Sequence, residues 1–569
     1  MFNYVCIILL IFQGVLPSLC ATEKPNILLI VADDLGWADL SFGGSPTVET
    51  ANLERLHANG GTLFTQFTVA ASICSPSRAS MLTGRLPIRT GVFSDLDYPL
   101  DNFFRVFYPS STECLPESEV TLGEALGGYR TSMLGKWHIG HNLERPCLPG
   151  KGNQGFDFFF GLPYSHEEGY PGPFPEGLVF PPVPLFLNGE YVEQPFNSSD
   201  LTSRYTDIAQ YILGDTEPAA ARLREASLGA VIEELEKHNQ TNDSQPFFLH
   251  VAYENPHVPL FLSDEYKEDC KPSRRGLYGD SIGEMDKSIG AILDSLERTG
   301  QADNTIVIFT SDNGAWVDPS NGLNPDRPTQ GMGPYDGGSN APFKGGKGDT
   351  YEGGFRVPLI MKVPPALLNG ATPPRVQRSP ATMMDLYPTL LDLAGLSIPE
   401  AVEKLDGKSM RGLLDGTLQG DLHDCIHYWR EHTLYAIRCG PYKSHFITRS
   451  GFNTSDPPTL HDPPLLYQIE WDAAERLPLD PTDPDNAKII AELTAAADAH
   501  VAEVESSKPK SLYLPQAAKA MPCCDRGPSR GKIPVEEVPK VEDGEAPPHV
   551  WDDCICSRAR VGVQQRNAV

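Results

Sequence analysis

Four short apolar runs, each followed directly by polar residues, constrain the fold of this chain more than any other feature. The runs begin at Asn26, Thr131, Phe247 and Thr305 and are rich in Val, Ile, Leu and Phe. Short runs of this kind, separated by long stretches that permit helices, are typical of buried strands in a mostly parallel sheet. Ligands bind beyond the carboxyl ends of such strands, so the polar residues after the runs are candidate site residues.

Two of the four run ends carry hard oxygen ligands. Asp33 and Asp34 follow the first run, and Asp312 and Asn313 follow the fourth. An Asp-Asp pair after a strand is by itself more often a helix cap or a turn than a metal site. Two acidic strand ends in one sheet favour a metal, and carboxylate and amide oxygens are the ligands that Ca²⁺ and Mg²⁺ prefer.

The stretches between the runs predict helices and one long loop. Residues 206–213, 219–238 and 281–296 have helical patterns typical of crossover connections. Residues 331–354 hold too many glycines for a regular element, so this stretch is predicted to be an active-site loop.

The length of 569 residues is too great for one ordinary core. We therefore expect an α/β fold with a large mixed, mostly parallel sheet flanked by helices, followed by a smaller C-terminal domain of antiparallel sheet plus helix. The predicted boundaries are 1–20 for a signal peptide, 22–424 for the large domain, 425–514 for the smaller domain and 515–569 for a tail containing Cys and Pro. Strand-like runs at 425–429, 434–438 and 442–447 and a helical pattern at 485–504 support the smaller domain.

The first residues predict passage through the secretory pathway. An apolar stretch at 4–12 and small residues at 18–21 are typical of a cleaved signal, although no Lys or Arg precedes them. No later segment approaches the roughly 18 apolar residues of a membrane span, so no transmembrane anchor is expected. Four N-glycosylation sequons fit secretion, and they lie at Asn197, Asn239, Asn242 and Asn453.

Charge and cysteine usage narrow the classes of partner. A formal net charge of −29 argues against nucleic acid, and an anionic substrate would need local positive charge. The tail cysteines Cys523, Cys524, Cys554 and Cys556 permit two disulfides in three connectivities, or a zinc site. An oxidising compartment favours the disulfides.

Cysteine 74 lies in the most specific motif of the chain. It opens the string Cys74-Ser75-Pro76-Ser77-Arg78, which is followed by Leu-Thr-Gly-Arg at 82–85. This pattern resembles the sulfatase signature, in which the cysteine is oxidised during secretion to formylglycine, an aldehyde. The resemblance extends, in the order of the arylsulfatase A and N-acetylgalactosamine-6-sulfatase group, through blocks at 33–34, 135–138, 163–166, 256–259, 312–314 and 346–348.

The resemblance implies an alkaline-phosphatase-like fold and a metal-assisted nucleophile. One Ca²⁺ ion, with Mg²⁺ the less favoured choice, would be bound by Asp33, Asp34, Asp312, Asn313 and the oxygen of modified Cys74. The hydrated aldehyde would attack sulfur through one hydroxyl, and deprotonation of the second would expel sulfate. An intact cysteine or a serine could not release the product in this way.

The resemblance also assigns roles to residues around the sulfate. Lys136, Ser165, His257 and Lys347 would surround the sulfate oxygens, and His257 and Lys347 would assist departure of the alcohol or phenol. His138 would take the proton during sulfate release. Asp312 would help deprotonate the attacking hydroxyl and Arg78 would hold the modified residue in place. His445 would lie at the pocket rim, and Lys344 is a less fitting candidate for the role of Lys347.

The predicted activity is therefore that of an arylsulfatase, with a sulfated small molecule, glycan or lipid as substrate. The formylglycine-generating enzyme would act on the chain during secretion. Extracellular and lysosomal destinations stay open, as does a homo-oligomer. Two alternatives also stay open: a phosphomonoester or phosphonate hydrolase of the same superfamily, and a secreted matrix protein that binds sulfated polysaccharide with little turnover.

Overall fold

A computed structural model describes residues 24–97, 105–142, 145, 147–169, 181–240, 245–318, 336–451, 456–513 and 556–557. The predicted signal peptide, the sequons at Asn242 and Asn453, and Cys523, Cys524 and Cys554 lie outside these residues. In the part of the chain that is described, no helix combines the length and apolar character needed to cross a membrane.

The strands of the described residues form three sheets. They are β1 (Asn26–Ala32), β2 (Thr62–Phe64), β3 (Phe67–Thr68), β4 (Arg130–Gly135), β5 (Phe158–Gly161), β6 (Leu185–Leu187), β7 (Glu190–Gln194), β8 (Phe247–Ala252), β9 (Thr305–Ser311), β10 (Leu359–Lys362), β11 (Val376–Gln377), β12 (Ala381–Thr382), β13 (Cys425–Arg430), β14 (Thr433–Cys439), β15 (Tyr442–Thr448), β16 (Thr459–Gln468) and β17 (Cys556–Ser557).

The helices of the described residues lie mainly between these strands. They are α1 (Ala51–Ala58), α2 (Cys74–Thr83), α3 (Pro87–Thr90), α4 (Leu122–Ala125), α5 (Leu201–Ile212), α6 (Thr216–Glu225), α7 (Gly229–Gln240), α8 (Asp264–Asp269), α9 (Leu277–Arg298), α10 (Glu352–Phe355), α11 (Leu386–Leu393), α12 (Arg411–Leu414) and α13 (Pro484–Glu505).

The large sheet has the strand order β11-β2-β10-β9-β1-β8-β4-β5-β6-β7-β17. Its centre, β9-β1-β8-β4-β5, is parallel throughout, whereas β10 and β6 run antiparallel to their central neighbours. All four apolar runs of the sequence are strands of this parallel centre. The predicted fold class, a mixed and mostly parallel sheet with a smaller antiparallel one, is confirmed.

Helices cover both faces of the sheet because its central strands are apolar on both sides. Along β1, Ile27, Leu29 and Val31 pack in one core cluster with α2 and α11. The alternate residues, Leu28 and Ile30, pack in a second cluster with α5 and α9. Burial of each such side chain stabilises the fold by about 1.5–3 kcal/mol.

The smaller sheet has the antiparallel order β13-β14-β15-β16. Helix α13 packs on it through Ile490, Leu493 and Ala497, which share a core cluster with Trp429 and Ile437. A disulfide between Cys425 and Cys439 joins β13 to β14. A second disulfide joins Cys114 to Cys147 in the large domain.

Three local predictions differ from the structure. The helix predicted over 219–238 is two helices, α6 and α7, because Ser227 has a φ of 59° and so leaves the right-handed region. Strand β16 was missed because it contains two prolines and most of its side chains are partly or fully exposed. In the tail, which was predicted to be irregular, Cys556–Ser557 pairs with β7.

We predict that the protein loses stability in acid because the imidazole of His250 is buried. Burial in β8 is the main reason that the pKa of His250 falls to about 4, although Nδ1 bonds the Leu29 carbonyl at 3.2 Å. Below about pH 6.5 the unfolded chain binds a proton that the folded chain excludes. The free energy of unfolding should therefore fall by up to about 1.4 kcal/mol per pH unit until the pH nears the folded pKa.

The test is urea unfolding of His250→Asn and the wild type between pH 8 and pH 5. Asparagine keeps a donor for the Leu29 carbonyl but does not titrate. At pH 8, the difference in the free energy of unfolding between the two proteins reflects the smaller side chain of the variant. From pH 8 to pH 5, the free energy of unfolding should fall by about 1–2 kcal/mol less in the variant than in the wild type. Identical pH dependence in the two proteins would contradict the assignment to His250.

Candidate active site

The carboxyl ends of four adjacent parallel strands form the candidate site. In the sheet order β9-β1-β8-β4, these ends lead to Asp312, Asp33, His257 and Lys136. Backbone bonds continue the sheet past the strand ends, from Asp312 N to Ala32 O at 3.1 Å and from Lys136 N to Ala252 O at 2.9 Å. The residues after the four runs therefore converge in one buried place.

Cys74 enters this place as the first residue of α2. Its Sγ lies 3.7 Å from Asp33 Oδ1, and the residue is 2% exposed. Burial raises the pKa of the Cys74 thiol well above its usual range, and the opposing effects of Lys136 and Lys347 are smaller. An unmodified thiol here stays protonated, and the thiol form is a poor nucleophile.

Arg78, one helical turn after Cys74, ties α2 to the strand ends. Its Nε donates to Asp312 Oδ2 at 2.9 Å, its Nη2 forms an ion pair with the same oxygen at 2.8 Å, and its Nη1 donates to the Lys136 carbonyl at 3.0 Å. Nη2 also lies 3.4 Å from Asp33 Oδ1. Because Arg78 is only 2% exposed, these charge-assisted bonds fix the start of α2 against the sheet.

Oxygen atoms of Asp33, Asp34, Asp312 and Asn313 lie together beside Cys74. Asp34, with a φ of 62°, donates its backbone N–H to Asp312 Oδ1 at 3.1 Å. Asn313 Nδ2 donates to Asp34 Oδ1 at 2.6 Å. Asn313 Oδ1 is buried and has no hydrogen-bond partner within the described residues.

This donor set fits a hard divalent cation. Asp33, Asp34, Cys74 and His257 each offer a ligand atom, and these atoms lie within 4.8 Å of one another. A buried amide oxygen left without a partner is costly, and a cation would satisfy Asn313 Oδ1. The oxygen-rich group matches the ligand preference of Ca²⁺ or Mg²⁺.

Two buried lysines place positive charge in direct contact with the carboxylates of Asp33 and Asp34. Lys136 Nζ donates to Asp33 Oδ2 at 2.6 Å and to Ser165 Oγ at 2.8 Å. Lys347 Nζ donates to Asp34 Oδ2 and to His257 Nε2, both at 2.8 Å. Burial alone would lower both lysine pKa values, but Asp33 and Asp34 raise them above the usual range. Both ammonium groups are therefore charged and can attract an anion.

His138 is held as a neutral base. Its Nε2 donates to the Phe107 carbonyl at 3.1 Å and lies 3.3 Å from Glu168 Oε1. Burial and the charge of Lys136 lower the pKa of His138 well below its usual range. With the proton on Nε2, the lone pair is on Nδ1, which has no hydrogen-bond partner among the described residues.

Two family models match this chain. The family model described as Sulfatase matches residues 25–396. A second model, described as the C-terminal region of aryl-sulfatase, matches residues 421–530. The chain belongs to the sulfatase family. It is a sulfuric ester hydrolase, and sulfatases are metal-dependent enzymes that act on sulfated compounds.

This sulfatase has relatives of similar length. Arylsulfatase A of Homo sapiens is 35% identical over 487 residues, which cover 80% of this chain and 84% of the relative. N-acetylgalactosamine-6-sulfatase of Homo sapiens is 34% identical over 547 residues, which cover 91% and 94%. The solved structure of the PsFucS1 sulfatase from Pseudoalteromonas sp. matches with a TM-score of 0.64 at 25% identity, covering 86% of this chain and 92% of that one.

Sequence reasoning missed two acidic residues of the sulfatase site, Glu167 and Glu168. Both lie in a short 3-10 helix, His166–Gly169, directly after Ser165. Burial raises the pKa of Glu168, and Glu167 adds to the shift. Burial opposes ionisation of Glu167 too, but His257 and Lys136 lower its pKa to about 2. Their sequence signal was only their position next to Ser165, because adjacent glutamates are common on protein surfaces.

The structure places the predicted rim residue, His445, in a different buried cluster. His445 in β15 is 0% exposed, and its Nε2 bonds Glu475 Oε1 at 2.6 Å. Its ring lies 4.8 Å from that of Tyr351. Lys344, the alternative to Lys347, also contacts the Tyr351 ring, at 4.0 Å. Of the two lysines, Lys347 is therefore the one that contacts Asp34 and His257.

The two sequons within the described residues differ in their surroundings. Asn197 is exposed and caps a short 3-10 helix through a bond from Ser199 N. Asn239 is partly buried in α7, where its Oδ1 accepts from Arg130 at 2.6 Å and its Nδ2 donates to the Tyr211 carbonyl at 3.1 Å. Glycosylation of Asn197 would therefore displace fewer contacts of the folded chain than glycosylation of Asn239 would.

Proposed function

We propose that this sulfatase hydrolyses sulfate esters through a formylglycine made from Cys74. The observation that carries the proposal is the position of residue 74. Its Sγ lies 3.7 Å from Asp33 Oδ1, within the group of ligand atoms that fits a cation, and the two buried lysines that can attract an anion bond to Asp33 and Asp34 of the same group. A nucleophile at this position faces both.

Attack forms a bond from one hydroxyl of the hydrated aldehyde to sulfur and breaks the bond from sulfur to the ester oxygen. Asp312, which Arg78 of the same helix α2 bonds at 2.9 Å, accepts the proton of the attacking hydroxyl. His257 and Lys347 lie together at 2.8 Å and assist departure of the alcohol or phenol oxygen, with the proton and the positive charge supplied by the Lys347 ammonium group. Lys136 and Ser165 bind the sulfate oxygens.

Release needs a second base. His138 Nδ1 takes the proton of the remaining hydroxyl, the carbon–oxygen bond to sulfate breaks, and the aldehyde re-forms. Water then hydrates the aldehyde and restores the nucleophile. His138 suits this step because burial keeps it neutral and ready to accept a proton.

The proposed cofactor is one Ca²⁺ ion, held by Asp33, Asp34, Asp312, Asn313 and the modified residue 74. When bound, it supplies Lewis-acid stabilisation of negative charge. Calcium is favoured over magnesium because the set offers several protein oxygens, whereas Mg²⁺ prefers to keep its water.

For the biological setting we propose a sulfated glycan or lipid as substrate and the secretory pathway as the route. The relatives named above act, by their names, on aryl sulfate and on sulfated N-acetylgalactosamine. The formylglycine-generating enzyme would modify Cys74 during secretion, and the mature protein would be extracellular or lysosomal. Glycosylation at the four sequons and assembly into a homo-oligomer belong to the same proposal.

The direct test is the mass of the proteolytic peptide that contains residue 74, taken from secreted protein. The aldehyde lacks sulfur and reacts with hydrazides, so we expect a lighter peptide that hydrazide reagents label. The same preparation should hydrolyse a chromogenic aryl sulfate and then be assayed on a panel of sulfated glycans and lipids. An intact thiol in a preparation that hydrolyses the aryl sulfate would refute the proposed nucleophile.

A further inference from the structure

A second group of metal-ligand side chains lies beside the proposed sulfate site. One ring nitrogen of His166, one of His257 and one carboxylate oxygen of Glu167 lie within 4.8 Å of one another. The two rings meet edge to face with centroids 5.4 Å apart. His257 Nε2 lies 3.6 Å from Glu167 Oε1. This set has two nitrogens and one oxygen, unlike the oxygen-rich set at Asp34.

Hydrogen bonds leave one lone pair on each ring. His257 Nδ1 bonds the Val258 carbonyl at 2.5 Å and must donate to it, so Nε2 carries the lone pair. His166 Nε2 likewise donates to the Pro259 carbonyl at 3.1 Å, so Nδ1 carries the lone pair. His166 is 1% exposed, and its Nδ1 has no hydrogen-bond partner in the described part of the chain. Glu167 Oε2 has none there either.

Such buried lone pairs fit a borderline-soft cation. A neutral imidazole bonded to a backbone carbonyl through one nitrogen is the usual zinc ligand through the other. Two histidines and one glutamate, with a fourth position left for water, form a common zinc set. The two groups share His257, but Ca²⁺ prefers the carboxylate and amide oxygens of the first group, so the imidazole of His257 suits the softer cation.

We propose that His166, Glu167 and His257 form an inhibitory Zn²⁺ site next to the sulfate pocket. Zinc would take the lone pair of His257 Nε2, to which Lys347 now donates at 2.8 Å. The ammonium group of Lys347 would remain with Asp34, also 2.8 Å away. Zinc and Lys347 therefore compete for His257. Zinc binding does not depend on the proposed function. The inhibition does rest on it, because the proposed function assigns His257 to the departure of the leaving group.

The test is equilibrium dialysis of calcium-loaded, full-length secreted protein against ZnCl₂, with both metals counted by mass spectrometry. The wild type should hold about one zinc without losing calcium. His166→Gln keeps a donor for the Pro259 carbonyl but lacks the Nδ1 lone pair, so zinc should bind at least about 10-fold more weakly. Glu167→Gln, at a partly exposed side chain, should weaken zinc binding as well and serves if His166→Gln does not fold. Lys347→Met should bind zinc more tightly.

His141 offers a matched control. It is fully buried, its Nε2 bonds the Pro109 carbonyl at 3.0 Å, and its Nδ1 also has no partner among described residues, but it belongs to neither metal-ligand group. His141→Gln should bind zinc as the wild type does. No zinc binding, loss of one calcium for each zinc gained, or wild-type zinc affinity in His166→Gln would overturn the site.

Activity gives a second readout. Zinc should inhibit hydrolysis of a chromogenic aryl sulfate, and the inhibitory concentration should rise at least about 10-fold in His166→Gln. Equal inhibition of both proteins would overturn the inhibitory role. If the protein hydrolyses no sulfate ester at all, the proposed function fails, and dialysis still decides whether the zinc site exists. Zinc binding measured by dialysis should be the same in Cys74→Ala, because residue 74 is not part of the zinc group.

Discussion

Cys74→Ala is expected to lower kcat/KM for a chromogenic aryl sulfate by about 10⁴-fold or more, which is the scale on which hydrolases lose rate when a covalent nucleophile is removed. The variant should still fold and be secreted. Cys74 is buried at the start of α2, but Arg78, which holds that helix to Asp312 and to the Lys136 backbone, remains in place. The measurement is hydrolysis by equal amounts of secreted protein.

Cys74→Ser separates attack from release. A serine hydroxyl has no second hydroxyl whose deprotonation could expel sulfate, so at most one turnover per chain is expected, with sulfate left on residue 74. A burst experiment with mass analysis of the peptide would detect it. Sustained turnover by either variant at Cys74 would remove the mechanism.

Cys270 provides the matched control. Of the cysteines whose side chains are described, Cys74 and Cys270 are the two outside disulfides. Cys270 follows α8 and is partly exposed, away from the strand ends that form the site. Cys270→Ala should keep wild-type turnover. A similar loss in both variants would indicate a general effect of removing a thiol.

The central sheet and most of its site could be predicted from the sequence because one physical rule governs both. Buried parallel strands must be apolar throughout, so β1, β8 and β9 stand out as runs, and the residues after them must meet at one edge. This places Asp33, His257 and Asp312 together without reference to any relative. Their pairing with Cys74 required the motif, because α2 reaches the site through tertiary packing.

Other features could not be predicted because they depend on contacts between residues that are far apart in the sequence. Glu168 is buried by the fold around it, and its neighbours in sequence are charged or polar. His445 was placed at the pocket rim by resemblance, but Glu475, 30 residues away, binds its ring inside the smaller domain. The break between α6 and α7 depends on one residue, Ser227, and a serine within a helical pattern is only a weak sequence signal for the end of a helix.

Asp312→Asn should weaken binding of the proposed calcium by more than about 100-fold, because mutation of residues that only support metal ligands already costs 10–100-fold. The amide keeps the shape of the side chain but removes a negative charge from a group of three carboxylates. Arg78, whose Nε donates to Asp312 Oδ2 at 2.9 Å and whose Nη2 lies 2.8 Å from the same oxygen, also loses its closest charged partner. Calcium content and kcat/KM should therefore fall together, and added calcium should restore part of the rate.

Asp39→Asn tests whether this effect is specific to the site. Asp39 is a buried carboxylate, 3% exposed, that accepts bonds from Gly36 N and Ser339 N at 2.9 Å and from Tyr278 Oη at 2.8 Å. It has no contact with Cys74 or Arg78 among these bonds, so its variant should lose stability but keep wild-type calcium content. Unchanged calcium in Asp312→Asn, measured on folded protein, would show that Asp312 is not a ligand. Calcium loss in both variants would show that content follows stability, since a cation bound only by the folded state is released on unfolding.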